Sequence, residues 1–229
     1  MKYETIKEGI FIERPNRFIA KVLMDRVVET VHVKNTGRCR EILIPGTRVI
    51  LEKARNEGRK TAYSLIAAYK GGILINIDSQ APNHVVYEAL KPGLLPQFKN
   101  LTRIIKEVRF GNSRFDLYFE SESGKGFIEV KGVTLEREGT ALFPDAPTER
   151  GAKHLFELAE AVKSGFKGVV FFLIQMKGPR QFLPNTATDP KFSEALRIAR
   201  AGGVEILAYD SMVTESGLVL GAQVGLGDF

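Results

Sequence analysis

Residues Gly126–Val133 read GFIEVKGV, with Glu129 and Lys131 separated by one valine in an apolar setting. On an extended strand that spacing directs both side chains to one face. A second carboxylate, Asp116, lies 13 positions before Glu129 in another alternating run, Arg114–Glu120. A turn over Ser121–Gly124 joins the two runs and can place Asp116 beside Glu129, with Lys131 next in line. Two carboxylates and an ammonium on one sheet face make a site for a divalent cation. The same residues would equally serve as an ordinary salt bridge on a half-exposed strand.

Working outward, Ile104–Phe110 alternates and ends at Gly111-Asn112, a hairpin signal that completes a three-stranded meander. In Arg114–Glu120 the pattern turns Phe115, Leu117 and Phe119 to the core and Asp116, Tyr118 and Glu120 away. Upstream, Asn83 can cap a helix carrying Val86, Ala89 and Leu90, stopped at Lys91-Pro92-Gly93. Downstream, Gly132–Pro147 is a long connection with two prolines and two glycines, the kind of segment that often forms a lid. Thr148 then starts a helix to about Ser164 with Leu155, Leu158, Ala159 and Val162 as its apolar stripe. Arg150, Lys153, His154 and Glu157 share another stripe, by default solvated, which its position after the lid brings toward the site. Val169–Ile174 is wholly apolar, as in a strand covered on both faces. Asp189-Pro190 opens a further helix and Val204–Tyr209 supplies a strand, which together predict a parallel pair with a right-handed crossover. The glycine-rich tail Gly217–Phe229 offers an edge strand.

The first third reads differently. Ile10–Ile12, Arg17–Met24, Val27–Val33, Arg48–Lys53, Tyr63–Tyr69 and Ile73–Ile77 are β-branched or alternating runs. Turns at Arg14-Pro15-Asn16, Asn35-Thr36-Gly37, Pro45-Gly46, Asn56-Glu57-Gly58 and Gly71-Gly72 separate them. Short strands at this spacing predict a small OB-like barrel, since closure removes sticky edges. The division is therefore an N-terminal barrel over residues 1–82 and a mixed α/β domain over residues 83–229. Lys34, Arg38 and Arg40 surround one barrel turn, and Arg14 and Arg17 flank another beside Phe18. Such cations can line a nucleic-acid groove with an aromatic for stacking; they can also be solvated loop charges.

The net charge is +6 over 229 residues. Residues 1–85 hold 15 lysines and arginines against 9 acidic residues, whereas the remainder holds 18 of each. The whole excess lies in the barrel, which suggests two domains with different work and a polyanionic partner for the first. One cysteine, Cys39, excludes an internal disulfide and suits a reducing cytosol. The longest apolar run is far short of the roughly 20 residues a membrane span needs, and the mixed-charge start offers no export signal. These features predict a cytoplasmic protein without membrane contact.

The element order of helix, meander, helix and strand, carrying Asp116 and Glu129-Val130-Lys131, resembles the PD-(D/E)XK nuclease superfamily. More specifically, RPNRFIAKV, VHVKNTGRCREILIPG, FIEVKGVTLEREGTALFPDAPTERGAKHLFEL and DPKFSEALRIA resemble the sugar fermentation stimulation protein A family, in both halves of the chain. The resemblance implies an OB-like domain followed by a restriction-endonuclease-like mixed sheet flanked by helices. It also implies DNA binding, and an association with sugar (maltose) metabolism. One departure is Phe115 before the first aspartate, where the nuclease signature has proline. Asp116, Glu129 and Lys131 are the expected catalytic group. Mg²⁺ (or Mn²⁺) would be held by Asp116, Glu129 and the Val130 carbonyl, since hard cations prefer oxygen donors. Glu88 would be a further ligand, by likeness to a helix-borne glutamate in some of these nucleases. Arg150, Lys153 and His154 would contact phosphate. The expected partner is DNA, bound without sequence preference, in a monomer or a homo-oligomer. Cleavage of that DNA, and response to a sugar ligand, are the alternatives.

Overall fold

Alternation in Ile19–Met24, where Ala20, Val22 and Met24 point inward, sets one face of the N-terminal sheet. The computed structural model describes every residue except Thr36, Glu57 and Pro92, so parts of two expected turns and of the expected helix stop at Lys91-Pro92-Gly93 lie outside the described residues. Strand β1 (Ile6–Asn16) pairs antiparallel with β2 (Ile19–Met24), which pairs with β3 (Val27–Val33). Strand β4 (Arg48–Lys53) lies on the other side of β1 and pairs with β5 (Tyr63–Lys70). A short parallel pairing, His32 and Val33 of β3 on Ser64 and Leu65 of β5, closes five strands into a barrel. Strand β6 (Ile73–Asn76) continues from β5 as a hairpin.

Two readings at the start of the barrel need correction. The first strand is much longer than Ile10–Ile12, because most of its residues face solvent and hide the apolar signal. The expected turn at Arg14–Asn16 is still strand; the chain reverses at Arg17-Phe18, where the Asn16 side chain accepts from the Phe18 and Ile19 amides.

Helix α1 (Ala81–Leu90) follows directly and starts after Gln80, ahead of the expected cap Asn83, with Pro82 in its first turn and no side-chain cap. The meander is β7 (Leu101–Phe110), β8 (Ser113–Ser121) and β9 (Gly124–Val133). The expected lid is largely ordered structure: β10 (Leu135–Arg137) and β11 (Thr140–Phe143) form a hairpin. Gly139 and both prolines lie outside these strands, which are too short for period-two patterning to reveal, and Gly132 lies inside β9. Next come α2 (Glu149–Lys163), β12 (Lys167–Ile174), β13 (Gln181–Pro184), α3 (Pro190–Ala201), β14 (Glu205–Thr214), β15 (Gly217–Gln223) and β16 (Gly225–Leu226).

The main sheet runs β15-β14-β12-β9-β8-β7, parallel at β9–β12 and β12–β14 as the crossover predicts. A second sheet, β10-β11-β13-β16, shares no strand with it and packs on it, Phe182 stacking on Phe172 at 4.1 Å. The strand β12 is buried on both faces: Val169, Phe171 and Leu173 join the core under α1, and Val170, Phe172 and Ile174 join the core under α2 and α3. Each such aromatic or aliphatic side chain contributes roughly 1.5–3 kcal/mol by leaving water. No helix is long and apolar enough to cross a membrane among the described residues.

Asp189 ties the two helices on that face together. Its carboxylate caps α3 by accepting from the Phe192 amide at 2.9 Å, and it also accepts from the Thr148 amide at the start of α2 at 2.7 Å. Asp189→Ala removes both bonds and is expected to lower stability by about 2 kcal/mol, measurable by urea denaturation. An unchanged midpoint would show that water replaces both bonds without cost.

Candidate functional site

The site forms where the central meander stops being regular. The β8–β9 ladder is paired from Ser121↔Gly124 up to Leu117↔Ile128 and ends there. On the other side, Lys106↔Leu117 and Val108↔Phe115 are paired but Glu107 is not, and its φ is 57°. Asp116 therefore sits at an irregularity in both ladders. The strict alternation expected of this strand breaks at the same point. Leu117 and Phe119 pack in the core under α1, while Phe115 packs with Phe127 under α2.

The irregularity frees the Asp116 carboxylate to turn onto β9. One oxygen accepts from the Val130 amide at 2.8 Å and the other from the Asn83 side chain at 2.7 Å. A strand residue directs its N–H and C=O to the same neighbour, so the Val130 carbonyl faces β8 as well. Burial first, and the nearby Glu129 charge second, raise the Asp116 pKa.

Glu129 is only 3% exposed. One of its oxygens, Oε1, meets both the Lys131 ammonium and His154 Nδ1. The other, Oε2, is buried with no hydrogen-bond partner. Burial alone would raise the Glu129 pKa, but the bonds from His154 and Lys131 more than offset it, and the net shift is downward. His154 Nε2 accepts from Arg150 Nε at 3.4 Å, which assigns the ring proton to Nδ1 and its donation to Glu129.

An orphaned buried carboxylate oxygen next to a second, destabilised carboxylate is a donor set short of one positive charge. Two carboxylates and a carbonyl are hard donors, suited to Mg²⁺, Mn²⁺ or Ca²⁺. Among the described residues no group of three or more His, Cys, Asp and Glu side chains converges as a metal cage. Backbone and water would therefore complete the coordination.

Asp116, Glu129, Val130 and Lys131 come together as expected; Glu88 does not. Glu88 pairs with the N-terminal ammonium at 2.6 Å. Residues 83 and 88 are five apart and so fall on different sides of the α1 helix, and it is Asn83 that reaches Asp116. His154 is 7% exposed, with Nδ1 turned onto Glu129 and Nε2 toward Arg150. Arg150 and Lys153 do face solvent, and with His154 they line a cleft of about 520 Å³ shared with Arg109 and Arg114 of the β7–β8 hairpin. Those two arginines carry no motif of their own; the signal that could have found them is their symmetric placing about Gly111-Asn112. Asn83 reads in the sequence only as a cap.

On the barrel, Lys34 is half-buried between Glu52 at 2.8 Å and Asp78 at 3.2 Å. Burial alone would lower its pKa, but those carboxylates raise it. Lys34 is an internal ion pair, not a free cation for a ligand. Arg14 is likewise engaged, donating to the carbonyls of Arg17, Asn35, Gly37 and Arg38. Arg17 lies over the Phe18 ring at 4.9 Å, and Arg38 and Arg40 are near it around a shallow hollow of about 300 Å³.

Two family models match this chain in tandem. The SfsA N-terminal OB domain covers residues 12–77 and the sugar fermentation stimulation protein RE domain covers residues 80–217. The chain belongs to the sugar fermentation stimulation protein family. A sugar fermentation stimulation protein homolog of Alkaliphilus oremlandii is 56% identical over 231 residues, covering 99% of this chain and 98% of the relative. A homolog of Ruminiclostridium cellulolyticum is 53% identical over 224 residues, covering 98% of each. Among solved structures, Pyrococcus furiosus SfsA in complex with Ca²⁺ superposes with a TM-score of 0.91 at 30% identity, covering 100% of this chain and 98% of that one. The sugar fermentation stimulation architecture is thus an OB barrel followed by a mixed sheet with three helices.

Proposed function

We propose that this member of the sugar fermentation stimulation family is a DNA-binding protein with a nuclease-like divalent-cation site at Asp116, Glu129 and the Val130 carbonyl. The carrying observation is the buried, unpaired Glu129 Oε2 beside Asp116. The Ca²⁺ in the P. furiosus relative supports a hard-cation preference. The element order around the site supports the PD-(D/E)XK likeness. The buried lone Cys39, its thiol pushed up to about 12 chiefly by burial, suits a reducing cytosol.

The presence of Lys131 favours a second reading, phosphodiester hydrolysis. Bound there, Mg²⁺ or Mn²⁺ would polarise a phosphoryl oxygen and acidify a water. Lys131, its ammonium held on Glu129, lies in reach of the same space to neutralise charge developing on the phosphate. Asn83 and the Val130 amide fix the Asp116 carboxylate, and His154 fixes Glu129, so both carboxylates are oriented before substrate arrives.

The test pairs binding with cleavage. Supercoiled plasmid incubated with Mn²⁺ is expected to be nicked by the wild type, and at least about 100-fold more slowly by Asp116→Ala and Lys131→Ala. DNA binding itself is expected to persist in both variants and to weaken steeply as salt rises from about 50 to 200 mM. Equal nicking by all three proteins would assign the activity to a contaminant. Binding indifferent to salt would remove the DNA reading.

A further inference from the structure

We propose that the cleft between the β7–β8 hairpin and the first turns of α2 is the track along which a nucleic-acid phosphate backbone reaches the site, with Arg109, Arg114, Arg150 and Lys153 as its phosphate ligands. This rests on the reading of DNA as the partner. It departs from the expectation that the barrel, which holds the whole charge excess, does the gripping.

On the barrel, six of the fifteen lysines and arginines have a carboxylate partner among the described residues. Lys7 pairs with Asp25, Lys21 with Glu13, Arg48 with Glu8 and Glu215, Arg55 with Glu4 and Lys70 with Glu136, besides Lys34 with Glu52 and Asp78, whereas Arg14 donates only to carbonyls. The cleft, like the barrel hollow lined by Arg14, Arg17, Arg38 and Arg40, is lined by cations and not by acids. It belongs to the domain of zero balance, yet its lining of Arg109, Gly111, Asn112, Ser113, Arg114, Arg150, Lys153 and His154 contains no carboxylate.

The arrangement of those cations is costly without an anion. Arg109 and Arg114 are direct cross-strand partners in the β7–β8 ladder. Like charges placed opposite one another destabilise a hairpin. Arg114 has Glu107 at 3.5 Å and Lys153 has Glu157 at 3.6 Å, pairs made by exposed cations and worth little in water. Arg150 has no carboxylate partner among the described residues and spends its Nε on His154. A phosphate between the hairpin and α2 would convert that repulsion into charge-assisted hydrogen bonds.

The hairpin is also held in place. Phe110, next to Arg109, packs on Phe127 at 5.3 Å and on Phe166 at 5.5 Å. Phe115, next to Arg114, packs on Phe127 at 5.2 Å. The two guanidiniums are thus mounted on an aromatic cluster shared with β9. From the cleft, Arg150 leads to His154 and His154 to Glu129, so the track ends at the candidate cation site.

The experiment measures binding of the full-length protein to a fluorescent duplex oligonucleotide by anisotropy across a salt series. Wild type is compared with Arg109→Gln/Arg114→Gln and with the barrel pair Arg38→Gln/Arg40→Gln, which removes the same charge. The hairpin pair is expected to lose at least about tenfold in affinity near 50 mM salt. The slope of log affinity against log salt should become shallower by about 0.9 for each phosphate the variant no longer neutralises. Thermal stability should be undiminished, because a like-charge pair has been removed. The barrel pair is expected to change the slope little. A hairpin variant that binds like wild type while the barrel pair loses the slope would overturn the track. Wild type that fails to bind DNA would overturn the track and the DNA reading together. Normal hairpin losses with no Mn²⁺ bound in calorimetry would uphold the track and sink only the cation site.

Discussion

Asp116→Asn is expected to stabilise the cation-free protein while weakening its divalent-cation binding by about 100-fold or more, since even partners outside the ligand shell are worth about 10–100-fold. Burial and the Glu129 charge raise the Asp116 pKa above its ordinary 3.8. Between that value and the raised one, the native chain keeps a proton that the unfolded chain has lost. Stability therefore falls as pH rises through this window, and the full penalty is present above it. Asparagine carries no charge at any pH. The variant's advantage should be absent below the unfolded value and complete at neutral pH, roughly 0.5–2 kcal/mol as for other relieved functional positions. Its amide can still accept from the Val130 N–H, and the Asn83 amide can turn to present its oxygen to the new nitrogen.

Glu129→Gln gives the opposite sign and so separates the two carboxylates. The Glu129 pKa is lowered despite burial, so its contribution to stability is present above the ordinary 4.5 and lost as pH falls through the folded value. Glutamine would leave Lys131 and His154 without their carboxylate and should destabilise at neutral pH, while also losing the cation. Thermal melts from pH 3 to pH 8, roughly the span in which carboxylates titrate, with and without Mn²⁺, read both effects. A wild type more stable than Asp116→Asn at neutral pH, with cation affinity intact in the variant, would make Asp116 a structural residue and end the metal reading.

How much of this was legible in sequence follows from what each signal depends on. Period-two patterning in Ile19–Met24 and Val27–Val33, and the apolar run Val169–Ile174, survive into the structure because one face or both faces are buried. The E-x-K spacing survives for the same reason, since Glu129 and Lys131 need only an extended backbone between them. Asp116 is harder: regular alternation would set Phe115 and Leu117 on one face, but a side-chain bond to Val130 reverses it. That is a tertiary event with no local trace. Glu88 and Asn83 show the same limit on a helix, where sequence shows both candidates but not which face turns to the sheet. Bulk charge carries no such detail, because Lys34, held between Glu52 and Asp78, and Arg14, donating to backbone carbonyls, count toward it in the same way as an exposed cation.

Gly132→Ala is expected to cost roughly 2–4 kcal/mol and to weaken the cation site from a distance, from overpacking of about 1–3 kcal/mol plus a disturbed buried hydrogen bond. Gly132 ends the E-V-K-G stretch inside β9, and its φ is not positive, so glycine is there for space. A Cβ would press on Gln175 Oε1 and lie 2.8 Å from Pro82 Cγ. Gln175 has nowhere to go. It is 1% exposed, and its amide donates to Asn76 Oδ1 at 2.8 Å and to the Asp78 carbonyl at 3.0 Å, joining β6 and the start of α1 to the main sheet. Pro82 is in the first turn of α1, one residue before Asn83, the helix's hold on Asp116. The added methyl thus pushes on the barrel junction through one neighbour and on the Asp116 carboxylate through the other. A double-mutant cycle with Gln175→Ala separates the two routes. The double variant should recover part of the stability that Gly132→Ala alone loses, while Mn²⁺ affinity stays low because Pro82 is still displaced. Strict additivity of the two losses would show that Gly132 and Gln175 do not compete for the same space, and an unaltered Mn²⁺ affinity would show that Asn83 does not transmit the strain.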